Sequence, residues 1–349
     1  MPLNLINVKK GVKYSCSKCG FTTPAMTWMW KCPRCGHPLD LEFDVEKPRA
    51  ATSRELMKVL PVRRTINLGE GYTPLIRRGE YGLKMEGLNP TGSFKDRGWS
   101  IAASIIEAML VEDSSGNAGV SLSAYSRGAG IRARIYVPYN ASPSKKALMR
   151  FLGSEVVETA DRSEAAAAAL NDRDGVYVGH SWNPFFLEGT KLIAYELLYQ
   201  AKTLESIVVP LGNGTLLLGL YRGFQEMIKE GLIKDMPRFI AVEAQGFCFA
   251  FSELTGQRCD GKATLPEGIM VGKPPRLDQI INAVKESGGE IRLAGDSDVI
   301  AGLRVAASLG LIVEPTSAVV FMVKPVPGMV HIITGTGLKT ADIIHRILN

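Results

Sequence analysis

From residue 50 onward, short apolar runs alternate with longer stretches in which apolar residues recur every three or four positions. GWSIAASIIEAML (98–110) sets Trp99, Ile101, Ile105, Ile106 and Met109 at helical spacing and predicts a helix ending near Val111. RARIYVP (132–138) reads as a short strand stopped by Pro138. SPSKKALMRFLG (142–153) predicts a helix capped by Ser142, with proline in its first turn and Gly153 at its end. EVVET (155–159) is a strand, RSEAAAAALND (162–172) a helix, GVYVGH (175–180) a strand and LEGTKLIAYELLYQ (187–200) a helix. SIVVPLGNG (206–214) predicts a strand running into glycines, followed by the helix TLLLGLYRGFQEMIKEGL (215–232). RFIAVEA (238–244) and MVHIITGTG (329–337) are further strands. Strands separated by single helices imply right-handed βαβ units with parallel sheets, an α/β fold.

In such folds ligands bind where strands end and helices begin. Clusters of glycine and hydroxyl residues fall mostly at those junctions: GSFKDRG (92–98), DSSGNAG (113–119), PLGNGTLLLG (210–219), EPTSA (314–318) and TGTGLK (334–339). Five in one chain suggest a single pocket assembled from distant loops. In the third, the amides of Gly212, Asn213, Gly214, Thr215 and Leu216 open a helix and suit an anion. The segment is neither GxGxxG nor a P-loop, so nucleotide hydrolysis is not indicated. DSSGNAG offers hydroxyls, an amide side chain and backbone N–H groups at a helix start, a combination that suits a carboxylate. Lys95 follows the turn formers Asn89 to Ser93 and stands beside Phe94. A phosphate cup, a carboxylate loop and a lysine next to an aromatic ring fit pyridoxal phosphate, with a hydroxyl such as Thr334 as partner for the ring nitrogen.

The first 45 residues change the picture. Cys16 and Cys19, then Cys32 and Cys35, form two CxxC pairs separated by twelve residues, each followed by glycine. Four thiolates at this spacing predict a closed tetrahedral zinc site, structural rather than catalytic, on a small hairpin. His37 is expected to be an exposed neighbour. Cys248 and Cys259 stand apart and read as separate core or surface thiols. Trp28, Trp30, Lys31 and Arg34 raise a nucleic-acid role for the ribbon, against which stands the long enzyme-like chain that follows. The chain has 349 residues, 46% hydrophobic and 22% charged, enough for about two domains. A net charge of +6, spread without long basic runs, fits an anionic small molecule as well as any polymer. No apolar run is long enough to cross a bilayer and no signal peptide is evident, so the expected setting is the cytoplasm.

NPTGSFKDRG (89–98), SSGNAG (114–119), GNGT (212–215), EPTSA and TGTGLK, together with LGEGYTPL (68–75), resemble the tryptophan-synthase-like (fold type II) pyridoxal-phosphate enzymes. With the zinc ribbon in front, the resemblance is to the threonine synthases among them, over residues 66 to 340. It implies two αβα domains with parallel or mixed sheets and the cofactor between them. The ribbon would occupy 1–45, the large domain 46–95 with 190–349, and the small substrate-side domain 96–189. Lys95 would be the Schiff-base lysine, Phe94 a wall for the ring, Asn117 the partner of the phenolic oxygen, Gly212 to Leu216 the phosphate site, and Thr334 the group facing the ring nitrogen. Ser114, Ser115, Gly116 and Ala118 would hold the substrate carboxylate. The reaction implied is threonine formation from O-phosphohomoserine, by a homodimer that takes a small amino-acid substrate and neither nucleic acid nor membrane. Two positions depart from the family pattern. Ala118 stands where threonine is common, and Phe186 stands where an arginine helps bind substrate phosphate. A phenyl ring cannot neutralise a phosphate dianion. Lys145, His180, Ser181 and Lys191 are the residues that could compensate. The alternative is another β-eliminating or β-replacing enzyme, of the serine or threonine dehydratase, diamino-acid ammonia lyase or cysteate synthase type.

Overall fold

A computed structural model describes residues 3–50, 52–63 and 65–348; Met1 and Pro2 of the N-terminal stretch lie outside the described residues. The chain divides into two units, Met1–Glu70 with Lys95–Thr190, and Gly71–Phe94 with Lys191–Asn349. Residues 1–45, read as the ribbon, group by contact with the unit built on 95–190. So does the stretch 46–70. The backbone explains why: the amide of Ile6 donates to Ile105 and that of Ile66 to Ser100, at 2.9 and 3.0 Å.

Along the chain, β1 (Lys13–Ser15), β2 (Thr22–Pro24) and β3 (Asp40–Glu42) form the antiparallel ribbon sheet, order β2-β1-β3. β4 (Leu75–Arg78) and β5 (Tyr81–Lys84) are an antiparallel hairpin of the second unit. Back in the first unit come β6 (Leu110–Glu112), β7 (Ala133–Pro138), β8 (Glu155–Thr159) and β9 (Val176–Tyr177), a parallel sheet of order β8-β7-β6-β9. Val120, Ile135, Val137 and Met149 close its core against the helices Asn117–Gly128 and Pro143–Phe151. The second unit then continues with β10 (Ser206–Pro210), β11 (Arg238–Ala244), β12 (Glu290–Ala294) and β13 (Met329–Ile332). Its sheet runs β12-β11-β10-β13-β5-β4, parallel except for β4. Val208, Ile240, Val242, Val299 and Val320 lie in its core. The α/β class with parallel and mixed sheets is as the alternation of patterns required.

Two helix expectations change. The helix expected over 98–110 is Lys95–Ala102 and stops there. Ile105 and Ile106 are fully buried but not helical, because Ser104 Oγ caps back to Ile101 at 2.7 Å. The freed carbonyls of Ser104 and Ile105 accept from Asn7 and Ile6 instead. The rest of that run becomes strand β6. The helix expected over 187–200 is two, Pro184–Thr190 and Leu192–Gln200. The break falls at Lys191, whose buried ammonium pairs with Glu226 at 2.8 Å.

Cys248 and Cys259 are not separate thiols. The fold brings their Cα atoms to 5.9 Å and joins the sulfurs in a disulfide across a sequence separation of 11. Spacing alone gave no hint of the pair, since a short helix, Phe249–Thr255, and a left-handed Gly256 lie between them. A loop of this length loses roughly 3 kcal/mol of unfolded-state freedom when closed. Cys259→Ser is expected to lower stability by about that amount in denaturant unfolding without reductant. Reductant should lower the wild type equally and leave the variant unmoved; equal unfolding of all samples would show that the bridge contributes nothing.

Candidate active site

The second unit supplies an anion-binding turn and a hydroxyl pair at the ends of neighbouring strands. After β10 the chain turns through Gly212, Asn213 and Gly214 into the helix Thr215–Lys229. Gly214 has φ +80°, and a Cβ there would strike Ile280; a Cβ on Gly212 would lie 3.1 Å from the Gly268 carbonyl oxygen. Only glycine lets the turn adopt this path. No side chain caps Gly214, so the amides and dipole of a 15-residue helix are presented to an anion.

β13 lies beside β10, and Thr334, two residues past its end, is buried. Thr334 Oγ1 is 2.8 Å from Ser317 Oγ, and Ser317 accepts the Gly335 amide at 2.8 Å. The EPTSA cluster thus meets TGTGLK through Ser317, a residue to which the sequence assigned no role. The turn formers before Lys95 lie along the same strand end. Phe94 donates its amide to Thr334 at 3.1 Å, and the Thr336 amide donates to Gly92, where φ is +79°. Asn89 holds the turn from behind, donating to Glu86 at 2.9 Å and accepting the Gly71 amide at 3.0 Å. Ser93 is fully buried, and its Oγ has no hydrogen-bond partner among the described residues. A buried hydroxyl of this kind implies a ligand or water atom beside it. A glycine turn opening a helix, a hydroxyl pair and this lone hydroxyl, with Phe94 bonded to Thr334, fit a flat phosphate-bearing cofactor.

The first unit holds Lys95 and the DSSGNAG loop. Lys95 opens its helix and is half-buried, with Nζ 5.6 Å from the centre of the Phe186 ring. Phe186 is fully buried and packs edge-on against Trp99. Gly98 and Gly189 permit this crossing of helices: a Cβ on the first would enter the Phe186 ring, and one on the second the Arg97 carbonyl. Ser114, Ser115, Gly116 and Asn117 are half-buried in the loop after β6, and Asn117 begins the helix Asn117–Gly128. Ala118 is buried within that helix, while Ser181 is half-buried after β9. Of the residues considered as substitutes for the missing arginine, Lys191 is committed to Glu226 and Lys145 is buried. His180 is held by Glu112: its Nδ1 lies 2.7 Å from Oε1, and its amide donates to Oε2 at 3.0 Å. Burial pushes the Glu112 carboxyl up to about 8 and holds His180 well below its ordinary value. Asp113 accepts from Tyr177 at 2.9 Å, and burial, helped by Glu112, lifts it to about 6. Glu112 went unnoticed because a charged residue ending an apolar strand reads as the strand's exit to solvent.

The four ribbon thiols gather as their spacing required. Their sulfurs lie within 4.8 Å of one another, with Cys16 and Cys35 3.6 Å apart and Cys19 and Cys32 3.5 Å apart. A tetrahedral zinc with ~2.3 Å bonds needs sulfurs about 3.8 Å apart. Gly20 and Gly36 adopt φ of +66° and +72°, turning each knuckle. His37 is buried rather than exposed, with Nδ1 3.0 Å from the Pro38 carbonyl, because the ribbon folds over it. Trp28 donates to the Tyr177 carbonyl at 2.9 Å, and Trp30 packs edge-on against Tyr177 and Trp182.

Residues 66–323 match the pyridoxal-phosphate dependent enzyme family. The chain is 30% identical over 342 residues to the threonine synthase of Methanocaldococcus jannaschii, covering 87% of this chain and 84% of that one. It is 28% identical over 338 residues to the threonine synthase of Methanosarcina acetivorans, with the same coverage of 87% and 84%. The processed form of threonine deaminase isoform 2 from Solanum lycopersicum shares the fold, with a TM-score of 0.69 at 21% identity over 91% of this chain and 93% of that one. So does a fungal L-serine ammonia-lyase from Rhizomucor miehei, with a TM-score of 0.67 at 22% identity over 79% of this chain and 98% of that one. With this match over most of its length, the chain belongs to the pyridoxal-phosphate-dependent enzyme family and is a threonine synthase-like member of it.

Proposed function

We propose that this protein is a pyridoxal-phosphate-dependent lyase that makes threonine and phosphate from O-phosphohomoserine and water. The observation that carries the reading is the joint placement of the 212–216 turn and the Ser317–Thr334 pair after neighbouring strands, with Phe94 bonded to Thr334. When bound, the cofactor would draw electrons from the substrate Cα. Gly212, Asn213, Gly214, Thr215 and Leu216 would hold its phosphate through backbone amides. Thr334, oriented by Ser317, would offer the ring nitrogen a hydroxyl rather than a carboxylate. Phe94 would bound the ring, and Asn117 would bond its phenolic oxygen. Lys95 would hold the cofactor covalently and carry the proton to and from Cα. Ser114, Ser115, Gly116, Ala118 and Ser181 would orient the substrate carboxylate. Cys16, Cys19, Cys32 and Cys35 would hold a structural zinc, since four thiolates leave no open position. We propose a cytoplasmic homodimer that binds no nucleic acid. No helix among the described residues is long and apolar enough to cross a membrane.

One observation favours a second substrate. Phe186 is fully buried, so its position offers neither charge nor access to a phosphate group. Elimination from serine or threonine, which carry no phosphate, suits such a site. Purified protein with added cofactor is expected to release phosphate from O-phosphohomoserine and to form threonine stoichiometrically. No phosphate release, with ammonia and a 2-oxo acid made from serine or threonine, would replace the first substrate with the second.

A further inference from the structure

Among the titratable groups that the first unit buries are Glu112 and His180. Glu112 is 1% exposed and His180 9%. The carboxylate grips the histidine twice, through the amide and through Nδ1, so imidazole position and carboxylate charge are fixed together. The Phe186 ring touches both sides of this arrangement: its centre is 5.6 Å from the His180 ring and 5.6 Å from Lys95 Nζ. A buried ring contributes little dielectric screening, so charge on Glu112 is felt at Lys95. The same coupling acts in reverse, since the Lys95 charge favours the Glu112 anion and disfavours a charged His180.

We propose that Glu112 and His180 are a positioning pair for Lys95, steering when its nitrogen carries a proton from across the Phe186 ring. The inference rests on the assignment of Lys95 as the residue that holds the cofactor. His180 donates to Glu112 and thereby favours its anion; the anion favours a protonated nitrogen at Lys95. With the Glu112 carboxyl raised to about 8, the pair supplies this negative charge as the pH rises through that value, and there it favours keeping the proton at Lys95.

Other titratable groups lie on the lysine helix and on the elements packed against it. On that helix, Asp96 accepts from Ser121 at 2.5 Å, and Arg97 is buried beside Gly189. Tyr125, on the helix Asn117–Gly128, donates to Glu70 at 2.7 Å. Tyr177 donates to Asp113, and Glu188 is buried on the Phe186 helix. Asp113 adds charge of the same sign as Glu112 but is tied to Tyr177, so it sets a background that the variants below leave in place.

The test is a pH titration of the visible absorption of the cofactor-loaded protein without substrate. Removing a nearby negative charge makes the protonated nitrogen less favourable, so Glu112→Gln is expected to lower the midpoint by roughly one pH unit. His180→Leu deprives the anion of its donor and is expected to shift the midpoint the same way. His180→Asn, which keeps an N–H donor, should remain near the wild type. The double variant E112Q/H180L should shift no further than E112Q, because both act through one charge. The wild type gives an arm that needs no substitution: coupling to Glu112 should broaden its curve beyond a single-proton titration. A single-proton wild-type curve, or variants that fold and titrate as the wild type does, would overturn the pair's role. Absence of a visible band in every protein, Lys95 intact, would instead overturn the cofactor assignment on which it rests.

Discussion

Replacing Lys95 with alanine is expected to abolish the visible band of the cofactor-loaded protein and to lower turnover by at least ~10³-fold. The expectation follows from where the chain puts the residue. Asn89, Gly92 and Ser93 bring the backbone along the end of β13, where Phe94, the residue before Lys95, is hydrogen-bonded to Thr334. No other lysine among the described residues follows a segment bound to Thr334 in this way. Lys191, also buried, is held by Glu226. The variant should fold as the wild type does, because Lys95 is only half-buried and its helix is anchored by Trp99 and Asp96. Retained absorption in Lys95→Ala, with the fold intact by circular dichroism, would assign the covalent role to a different residue.

Loss of the ribbon metal should produce the second large effect. Metal analysis of purified protein is expected to find about one zinc per chain. Stripping it with a strong chelator, or substituting Cys32 by serine, should unfold residues 13–42 as a unit. Four-thiolate zinc sites contribute on the order of 10 kcal/mol of binding free energy to small folds of this kind. The ribbon has little else to hold it: three strands of three residues and a few buried side chains, Tyr14 and Leu39 among them. The effect should spread into the first unit, because Trp28 holds the Tyr177 carbonyl and Trp30 packs on Tyr177 and Trp182. Tyr177 in turn donates to Asp113, the first residue of the carboxylate loop. Amide exchange should therefore rise over 177–182 as well as in the ribbon. Exchange confined to 13–42, with 177–182 still protected, would show that the ribbon folds without supporting that loop.

Much of this arrangement is legible in the chain because local physics and fold agree there. β7, β8, β10 and β11 lie where short apolar runs stopped by proline, glycine or polar residues placed them. The helix Thr215–Lys229 begins at the threonine after the glycine turn, and Ser142 caps its helix by accepting the Lys145 amide. The CxxC spacing leaves four thiols few ways to lie other than together. Where the reading failed, the deciding partner was distant in sequence. Ile105 and Ile106 continue a helical spacing, yet their segment is unwound by bonds to residues 6 and 7. Ser317 meets Thr334 across 17 positions, and Glu112 meets His180 across 68. The residues that departed from the family pattern, Phe186 above all, were visible as departures. That Phe186 is wholly enclosed, touching Trp99, His180 and Lys95, required the fold.

The seam between ribbon and first unit also concentrates the protein's chromophores. Of four tryptophans in the chain, Trp28, Trp30 and Trp182 sit at that seam, and Trp99 alone lies in the core beside Phe186. Intrinsic emission of this protein is therefore dominated by one small region. Its colour and intensity would follow the docking of the ribbon, and hence the presence of the metal, while remaining nearly silent about the six-stranded sheet.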